Sequence, residues 1–196
     1  TDLGKVYKIK AYEIPEASRT AKGTPVINFL NLDQGERVTA VIPVKEFADD
    51  NYLIMVTRNG TIKKTPMSQF DTNRKTGLIA ITLKDDDKLI SVSQSSGEES
   101  VYVVTKKGNS ITFHEDDVRS MGRSAGGIRA ITLDKDDEVV SMEIDSTGER
   151  ELLVMTKKGF GKRTSLDEYR LQTRGGKGVS TYDKTKFSKT GELVGA

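Results

Sequence analysis

Short apolar runs alternate with polar turns along the whole chain. Residues 53–57 form one such run, Arg58-Asn59-Gly60 follows as a turn, and residues 61–65 form a second short strand. Asn-Gly supplies the positive φ angles that a tight hairpin turn requires, so this pattern predicts a β-hairpin. Two more apolar runs, at 78–83 and 88–92, are separated by an acidic turn. The segment therefore predicts four strands within roughly fifty residues.

This order of strands and turns occurs four times, which predicts an all-β repeat protein. The turn glycines that mark the copies are Gly4, Gly60, Gly108 and Gly159. Four-stranded units at this interval are typical of propeller-type blades, in which each sheet buries its faces against its neighbours. We expect a single repeat domain, residues 1–196, with blades at about 1–50, 51–99, 100–149 and 150–196. The pattern leaves open whether the blades close into a ring or form an open arc.

A cation follows each turn glycine at one fixed distance. Counting 15 residues onward reaches Arg19, Lys75, Arg123 and Arg174, and each arginine is followed four residues later by a glycine. An ordinary β-sandwich, the alternative fold, does not explain these fixed offsets. The first copy lacks most of the strand that should precede its turn, so the chain is expected to be part of a longer protein.

Composition narrows the classes of function. The chain of 196 residues has no cysteine, which excludes disulfides and thiolate metal sites, and its apolar runs are too short to span a membrane. The net charge is only +2, but residues 150–196 carry 11 basic and five acidic residues, a net charge of +6. Such an excess marks a candidate anion-binding surface. The default expectation is a cytoplasmic protein without membrane contact.

Catalytic chemistry has little support in the sequence. His114 is the only histidine, and no glycine-rich segment carries the Lys-Ser or Lys-Thr of a nucleotide-binding P-loop. The acidic run at 134–138 lacks the glycine that a calcium loop needs at its sixth position, which is Val139. We therefore predict no catalytic residue, no metal and no cofactor.

Several segments resemble a known family. They are residues 1–7, Val-Thr-Lys-Lys-Gly at 104–108, Met-Thr-Lys-Lys-Gly-Phe-Gly-Lys-Arg-Thr at 155–164, and Gly-Gly-Ile-Arg at 126–129. Over its whole length the chain resembles the C-terminal domain of the DNA gyrase A subunit, with the related domain of topoisomerase IV as the alternative. The resemblance implies a β-pinwheel, a propeller-like repeat of four-stranded blades, with about four of an expected six blades present.

The resemblance also implies a function. A domain of this family binds and bends double-stranded DNA largely without sequence preference, and has no catalytic residue of its own. Its parent is an ATP-dependent type II DNA topoisomerase that introduces negative supercoils. The implied partners are DNA, the catalytic core of the parent protein and, through that core, the ATPase subunit. The implied location is the bacterial cytoplasm, in association with the nucleoid.

The family's gyrase A box reads glutamine, a basic residue, arginine, two glycines, a basic residue and glycine. The chain matches it at Gln172, Arg174, Gly175, Gly176, Lys177 and Gly178, but Thr173 replaces the second cation. The resemblance places the true box ahead of the first residue of this chain. Residues 172–178 are therefore expected to be a degenerate copy in a later blade, from which full DNA wrapping does not follow.

Cations in the loops and in the second hairpin strands are the candidate DNA contacts. Arginine offers a planar fork of donors for phosphate oxygens, and glycines let backbone N–H groups approach closely. Lys8, Lys64 and Arg163 share one offset from their turn glycines, which predicts a row of cations along a curved edge. The plainer interpretation of each cation is a solvated turn residue. The complete set is Lys8, Arg19, Lys22, Lys63, Lys64, Arg74, Lys75, Arg123, Arg129, Lys162, Arg163, Arg174 and Lys177.

A second function stays open at this stage. A propeller can act as a protein-interaction scaffold for which DNA affinity is incidental. Interaction surfaces are enriched in aromatic residues, whereas this chain has no tryptophan and only 6% aromatic residues. The composition therefore favours DNA binding over the scaffold.

Overall fold

The computed structural model describes residues 1–72, 74 and 76–196, and its regular structure is almost entirely β. Helical structure in this part of the chain is limited to short 3-10 helices and one helical turn, α1, at Phe187–Thr190. The 3-10 helices are Ala11–Glu13, Val26–Asn28, Met67–Phe70, Glu115–Asp117, Leu166–Glu168 and Lys184–Lys186. No helix among the described residues is long and apolar enough to cross a membrane.

The strands of the described residues are short. They are β1 (Lys5–Val6), β2 (Tyr52–Thr57), β3 (Thr61–Pro66), β4 (Leu78–Ile79), β5 (Leu89–Ser95), β6 (Ser100–Thr105), β7 (Asn109–His114), β8 (Ile128–Arg129), β9 (Val139–Asp145), β10 (Glu151–Thr156), β11 (Gly161–Ser165), β12 (Val179–Ser180) and β13 (Leu193–Gly195). They form antiparallel sheets in the orders β1-β4, β5-β2-β3-β8, β12-β7-β6-β9 and β11-β10-β13. A hairpin lies at the centre of each four-stranded sheet, with Ile54 opposite Lys64 in one and Val103 opposite Ile111 in the other.

One hairpin-turn geometry recurs in all four repeats. In the second repeat the Gly60 N–H donates to the Thr57 carbonyl at 3.0 Å, and the Thr57 hydroxyl accepts from the Thr61 N–H at 3.2 Å. Gly60 has a φ of +80°, a left-handed conformation that glycine adopts without the steric cost of a Cβ. A threonine and a glycine three residues apart thus define each turn. The threonines are Thr1, Thr57, Thr105 and Thr156.

The acidic turns predicted from the sequence support these hairpins. The Asp87 carboxylate accepts from the Asn59 N–H at 3.0 Å, and the Asp137 carboxylate accepts from the Lys107 N–H at 2.9 Å. A charged acceptor makes such a backbone hydrogen bond stronger than a neutral one. The carboxylates therefore connect the hairpin turns of the second and third repeats to the segments that lead into β5 and β9.

The short strands β4, β8 and β12, which we call the crossover strands, each join the sheet of the preceding repeat. β8 pairs with β3, where Ile128 lies opposite Ile62. The Gly60 carbonyl then accepts from the N–H groups of Ala130, at 2.8 Å, and Ile131, at 3.5 Å. The sequence predicts a longer strand at 128–133, but β8 ends after two residues because the next N–H groups bind this turn. Each four-stranded sheet thus combines three strands of one repeat with one strand of the next.

The core lies between successive sheets. In β2, Leu53 and Met55 belong to a cluster shared with the first repeat, while Ile54 and Val56 belong to a cluster shared with β6 of the third repeat. Because this hairpin is covered on both faces, β2 appears in the sequence as a continuous apolar run instead of an alternating one. β10 differs, since its Leu153 side is exposed and its Leu152 side is buried.

The first repeat departs most from the prediction. The sequence predicts strands at 26–32 and 38–44, but residues 26–28 form a 3-10 helix and 38–44 contain no strand among the described residues. Every residue from 10 to 28 is exposed. These predicted strands are wrong because the repeat offers only β1, two residues long, and a strand without a hairpin to pair with is not stable alone.

Candidate nucleic-acid interface

Two of the three arginines that follow the turn glycines, Arg123 and Arg174, lie in loops that lead into crossover strands, whereas Arg19 lies in the exposed segment of the first repeat. We call residues 119–127 the third-repeat loop and residues 170–178 the fourth-repeat loop; each follows a 3-10 helix and ends at a glycine. Gly127 has a φ of +85°, and a Cβ on it would lie 2.6 Å from the Ile62 carbonyl oxygen. Gly178 approaches the Ser110 carbonyl in the same way. The glycines are therefore required for docking on the preceding hairpin, a role that the sequence interpretation did not include.

The box-like segment of the fourth-repeat loop is bound to the third repeat along most of its length. Its contacts are Gln172 N–H to the Thr112 carbonyl at 2.7 Å, Gly175 N–H to the Ala130 carbonyl at 2.7 Å, Thr132 N–H to the Gly176 carbonyl at 2.8 Å, and the Lys177 ammonium to the Asp134 carboxylate at 3.4 Å. Backbone groups that accept or donate within the protein are not available to a phosphate. Because its contacts are all with the third repeat, the segment holds the third and fourth repeats together.

Arg174 takes part in the same junction. Its Nε donates to the Asp117 carbonyl at 3.0 Å and its Nη1 donates to the carbonyl of Arg129. Two cations predicted as DNA contacts, Arg174 and Arg129, are thereby brought together where the third and fourth repeats meet. A guanidinium has five donors, so the two internal hydrogen bonds orient Arg174 and leave part of its fork for another acceptor.

Two predicted contacts lie in the interior, which corrects the sequence interpretation. Lys63 is fully buried, with its ammonium donating to the carbonyls of Ala80 and Arg123. Lys64 is 7% exposed, and its ammonium lies 3.5 Å from a carboxylate oxygen of Glu115. Both residues are on β3, a strand covered on both faces, so neither ammonium reaches a phosphate on the surface.

Lys64 belongs to a buried group of ionisable side chains. Glu115 is buried and accepts a hydrogen bond from the Ser95 hydroxyl at 2.7 Å; burial raises the pKa of Glu115. Burial alone would raise the pKa of Glu99 as well, but its contact with Glu115 and the hydrogen bonds that it accepts from Ser96 and the next backbone N–H groups outweigh burial and lower the pKa of Glu99 to about 2. No group of three or more His, Cys, Asp or Glu side chains that could hold a metal ion occurs in the described part of the chain.

Three of the predicted cations form ion pairs, of which Arg163 and Lys177 are exposed and Lys8 is partly buried. Arg163 and Lys177 have side chains that are 70% and 73% exposed, and the Lys8 ammonium lies over the Phe47 ring. An exposed ion pair contributes roughly 0–1 kcal/mol, so a phosphate can replace the carboxylate at little cost. The pairs are Arg163–Glu151 at 3.0 Å, Lys177–Asp134 at 3.4 Å and Lys8–Asp71 at 2.6 Å.

Apart from Lys75, the other predicted cations have no carboxylate partner within the described residues. Lys162 is exposed, with its ammonium 3.4 Å from the Thr181 carbonyl, and Arg123 is partly exposed. Lys75 lies outside the described residues. The exposed members of this group that also lack a side-chain hydrogen bond among the described residues are Arg19, Lys22, Arg74 and Arg129.

The structure adds two cations that sequence reasoning missed. Arg119 and Arg170 each lie 11 residues after a turn glycine, at the first exposed position beyond a 3-10 helix. Both are exposed, and neither has an ion pair among the residues that the structure describes. The shared offset from Gly108 and Gly159 could have identified them from the sequence.

The family model described as "DNA gyrase C-terminal domain, beta-propeller" matches this chain at residues 1–45, 51–96, 99–144 and 150–196. Among curated relatives, the DNA gyrase A subunit of Salmonella typhimurium is 43% identical over 193 residues, which are 98% of this chain and 22% of the relative. The DNA gyrase A subunit of Mycolicibacterium smegmatis is 44% identical over 198 residues, 99% of this chain and 23% of the relative. The chain thus spans about a fifth of the length of these relatives.

Solved structures with the same fold come from two kinds of topoisomerase. The C-terminal domain of DNA topoisomerase IV superposes with a TM-score of 0.85 at 28% identity, over 91% of this chain and 56% of that one. The DNA gyrase A C-terminal domain superposes with a TM-score of 0.79 at 27% identity, over 98% of this chain and 61% of that one.

Proposed function

The chain belongs to the DNA gyrase C-terminal domain, beta-propeller family, and we propose that it binds and bends duplex DNA without catalysing a reaction itself. The observation that carries the proposal is a set of exposed cations at repeated offsets. Arg119 and Arg170 occupy equivalent surface positions in successive repeats, and Arg163 and Lys177 add exposed charge to the fourth. Cations spaced along successive repeats suit the regularly spaced phosphates of a duplex.

The same arrangement of cations favours DNA binding that does not depend on the base sequence. The candidate contacts are charged side chains on loops, and phosphate contacts carry no sequence information directly. The DNA would gain contacts by following the curved row of repeats. Bending a duplex costs on the order of several kcal/mol, which additional phosphate contacts offset.

We propose further that the chain acts as part of a larger protein. The curated relatives are A subunits of DNA gyrase, and the chain corresponds to about a fifth of their length. In this proposal the chain presents bent DNA to the catalytic core of such a protein. That core works with an ATPase subunit in ATP-dependent negative supercoiling, in the bacterial cytoplasm at the nucleoid.

A salt titration of duplex binding tests the proposal. Each phosphate neutralised by a cation releases condensed counterion, so log affinity should fall linearly with log salt, by about 0.9 per contact. The variant Arg119→Ala/Arg170→Ala should lower this slope by about 2 while the fold is kept. The matched control Lys45→Ala/Lys135→Ala removes two exposed charges outside the loops and should leave the slope unchanged.

Two results would contradict the proposal. A chain that binds no duplex at low salt would make the protein-interaction scaffold the better explanation. Equal slopes for the loop variant and the control would place the DNA path away from Arg119 and Arg170.

A further inference from the structure

The third-repeat and fourth-repeat loops dock on the preceding repeat through equivalent hydrogen bonds. The Met121 N–H donates to the Lys64 carbonyl at 2.8 Å, as the Gln172 N–H donates to the Thr112 carbonyl at 2.7 Å. A threonine hydroxyl of the preceding repeat also donates to each loop. These bonds join Thr82 to the Ser124 carbonyl and Thr132 to the Gly175 carbonyl, both at 2.7 Å.

The two loops differ at one hydrogen bond. In the fourth-repeat loop, Gly175 has a φ of +88° and its N–H donates to the Ala130 carbonyl at 2.7 Å. The equivalent residues of the third-repeat junction are Ser124 and Ala80. Ser124 is not left-handed, a conformation that costs a residue with a Cβ about 1 kcal/mol or more. Its N–H consequently does not make the equivalent bond.

Lys63 occupies the place of the missing bond. Its ammonium donates to the Ala80 carbonyl at 2.5 Å and also to the carbonyl of Arg123. One ammonium therefore joins the residue that follows the crossover strand β4 to the third-repeat loop. The position equivalent to Lys63 in the next repeat is Ile111, a buried apolar residue that packs near Gly176. The junction of the second and third repeats thus has Lys63 with Ser124. The junction of the third and fourth repeats has Ile111 with Gly175 at the same positions.

We propose that Lys63 is a positioning residue, whose buried ammonium replaces a backbone hydrogen bond and fixes the loop that carries Arg119 and Arg123. The part of this proposal that concerns DNA rests on the proposed function. Burial and, to a smaller extent, the Arg123 guanidinium lower the pKa of Lys63 to about 8, so the ammonium is still mostly charged at neutral pH. An apolar residue would avoid the desolvation of this charge. The ammonium nevertheless donates to two backbone carbonyls, which an apolar side chain could not do.

Hydrogen exchange of the backbone amides at 121–127 tests the role of Lys63. Lys63→Ile introduces the residue that the next repeat has, but leaves the Ala80 and Arg123 carbonyls without their donor. The hydrogen-bonded amides of this segment, those of Met121, Arg123 and Ala125, should therefore exchange about tenfold faster than in the unchanged chain. Adding Ser124→Gly supplies a residue that can adopt the conformation of Gly175, so the variant Lys63→Ile/Ser124→Gly should regain most of the protection. Ser124→Gly alone should change exchange much less.

Controls separate positioning from general destabilisation. Exchange in β6 is the internal reference, because global unfolding would raise it together with exchange in the loop. Lys184→Met removes an exposed lysine charge and should leave exchange at 121–127 unchanged. If Lys63→Ile does not fold, Lys63→Met, which keeps the aliphatic length, takes its place in the same comparison. Unchanged exchange in the lysine variant, or no recovery with Ser124→Gly, would overturn the proposal.

Duplex binding by the same variants separates this proposal from the proposed function. At low salt, Lys63→Ile should bind about threefold more weakly than Lys184→Met, and Lys63→Ile/Ser124→Gly should recover. Equal affinities in all variants would remove the link between Lys63 and DNA. A chain that binds no DNA would contradict the proposed function, and the exchange measurement would still decide the structural role of Lys63.

Discussion

At the scale of single residues, burial gives the lysines of this chain different chemistry. Lys63 and Lys64 are adjacent on β3 but have different neighbours: two backbone carbonyls for Lys63, and the Glu115 carboxylate for Lys64. Lys177 is exposed and pairs weakly with Asp134. Only the exposed lysine can exchange its partner for a phosphate without disturbing the fold.

The lowered pKa of Lys63 predicts a rise in stability at alkaline pH. Lysine in an unfolded chain has a pKa near 10.4, whereas the pKa of Lys63 in the folded chain is about 8. Between these values the unfolded state binds more protons, so the free energy of unfolding should increase as the pH rises from 8 to 10, by up to about 3 kcal/mol. Urea unfolding of the unchanged chain and of Lys63→Met at several pH values measures this difference. A parallel pH dependence in both proteins would refute it.

The pair formed by Lys64 and Glu115 predicts strong coupling. Removing one partner leaves the other charge buried and unpaired, so Lys64→Met and Glu115→Gln should each lower the free energy of unfolding by about 3 kcal/mol. The variant with both changes leaves no unpaired charge and should lose less than the sum. Urea unfolding of the four proteins gives the coupling energy, and strict additivity would contradict the buried pair.

At the scale of elements, the crossover strands explain where glycine is required. Gly127→Ala combines a left-handed φ of +85° with a Cβ 2.6 Å from the Ile62 carbonyl oxygen, and should cost about 3 kcal/mol. Gly148→Ala is a matched control, because Gly148 has a φ of +70° and no atom within 4 Å of its Cβ position. It should cost only about 1 kcal/mol. Thermal unfolding of both variants checks the difference, and equal losses would show that docking does not require Gly127.

The sequence predicts well those elements that a short stretch of residues defines by itself. The hairpins follow from apolar runs around turn glycines, and the resemblance to the gyrase A domain and the all-β pinwheel fold are confirmed. The crossover pairing was not predictable, because it joins Ile62 to Ile128 through a strand of only two residues. The burial of Lys63 was missed for a related reason. A strand covered on both faces has no polar side, so alternation cannot tell an interior lysine from a surface one.

At the scale of the whole molecule, the repeats differ in how well they are enclosed. The second repeat is covered on both faces, whereas residues 10–28 of the first repeat are all exposed. Brief digestion with trypsin should therefore cut after Arg19 or Lys22 well before it cuts after Lys63 or Lys64. Mass spectrometry of the early fragments identifies the order of cleavage. A first cut within 51–66 would contradict this order.

The crossover strands also bear on how such a chain can change length. Each repeat from the second to the fourth contains a short strand that pairs with a strand of the repeat before it, β1, β3 or β7, and a hairpin with an outer edge that can receive an equivalent strand. A duplicated copy of one repeat would bring a short strand and a hairpin with it, so the backbone pairing of the new junction would already exist. The side chains would not match, because a copied third repeat would place Ser124 against Ile111, where neither the lysine nor the left-handed glycine is present. The number of blades can therefore change by whole units in the backbone, but a new junction needs either a lysine on the hairpin or a left-handed glycine in the loop to replace the bond that is lost.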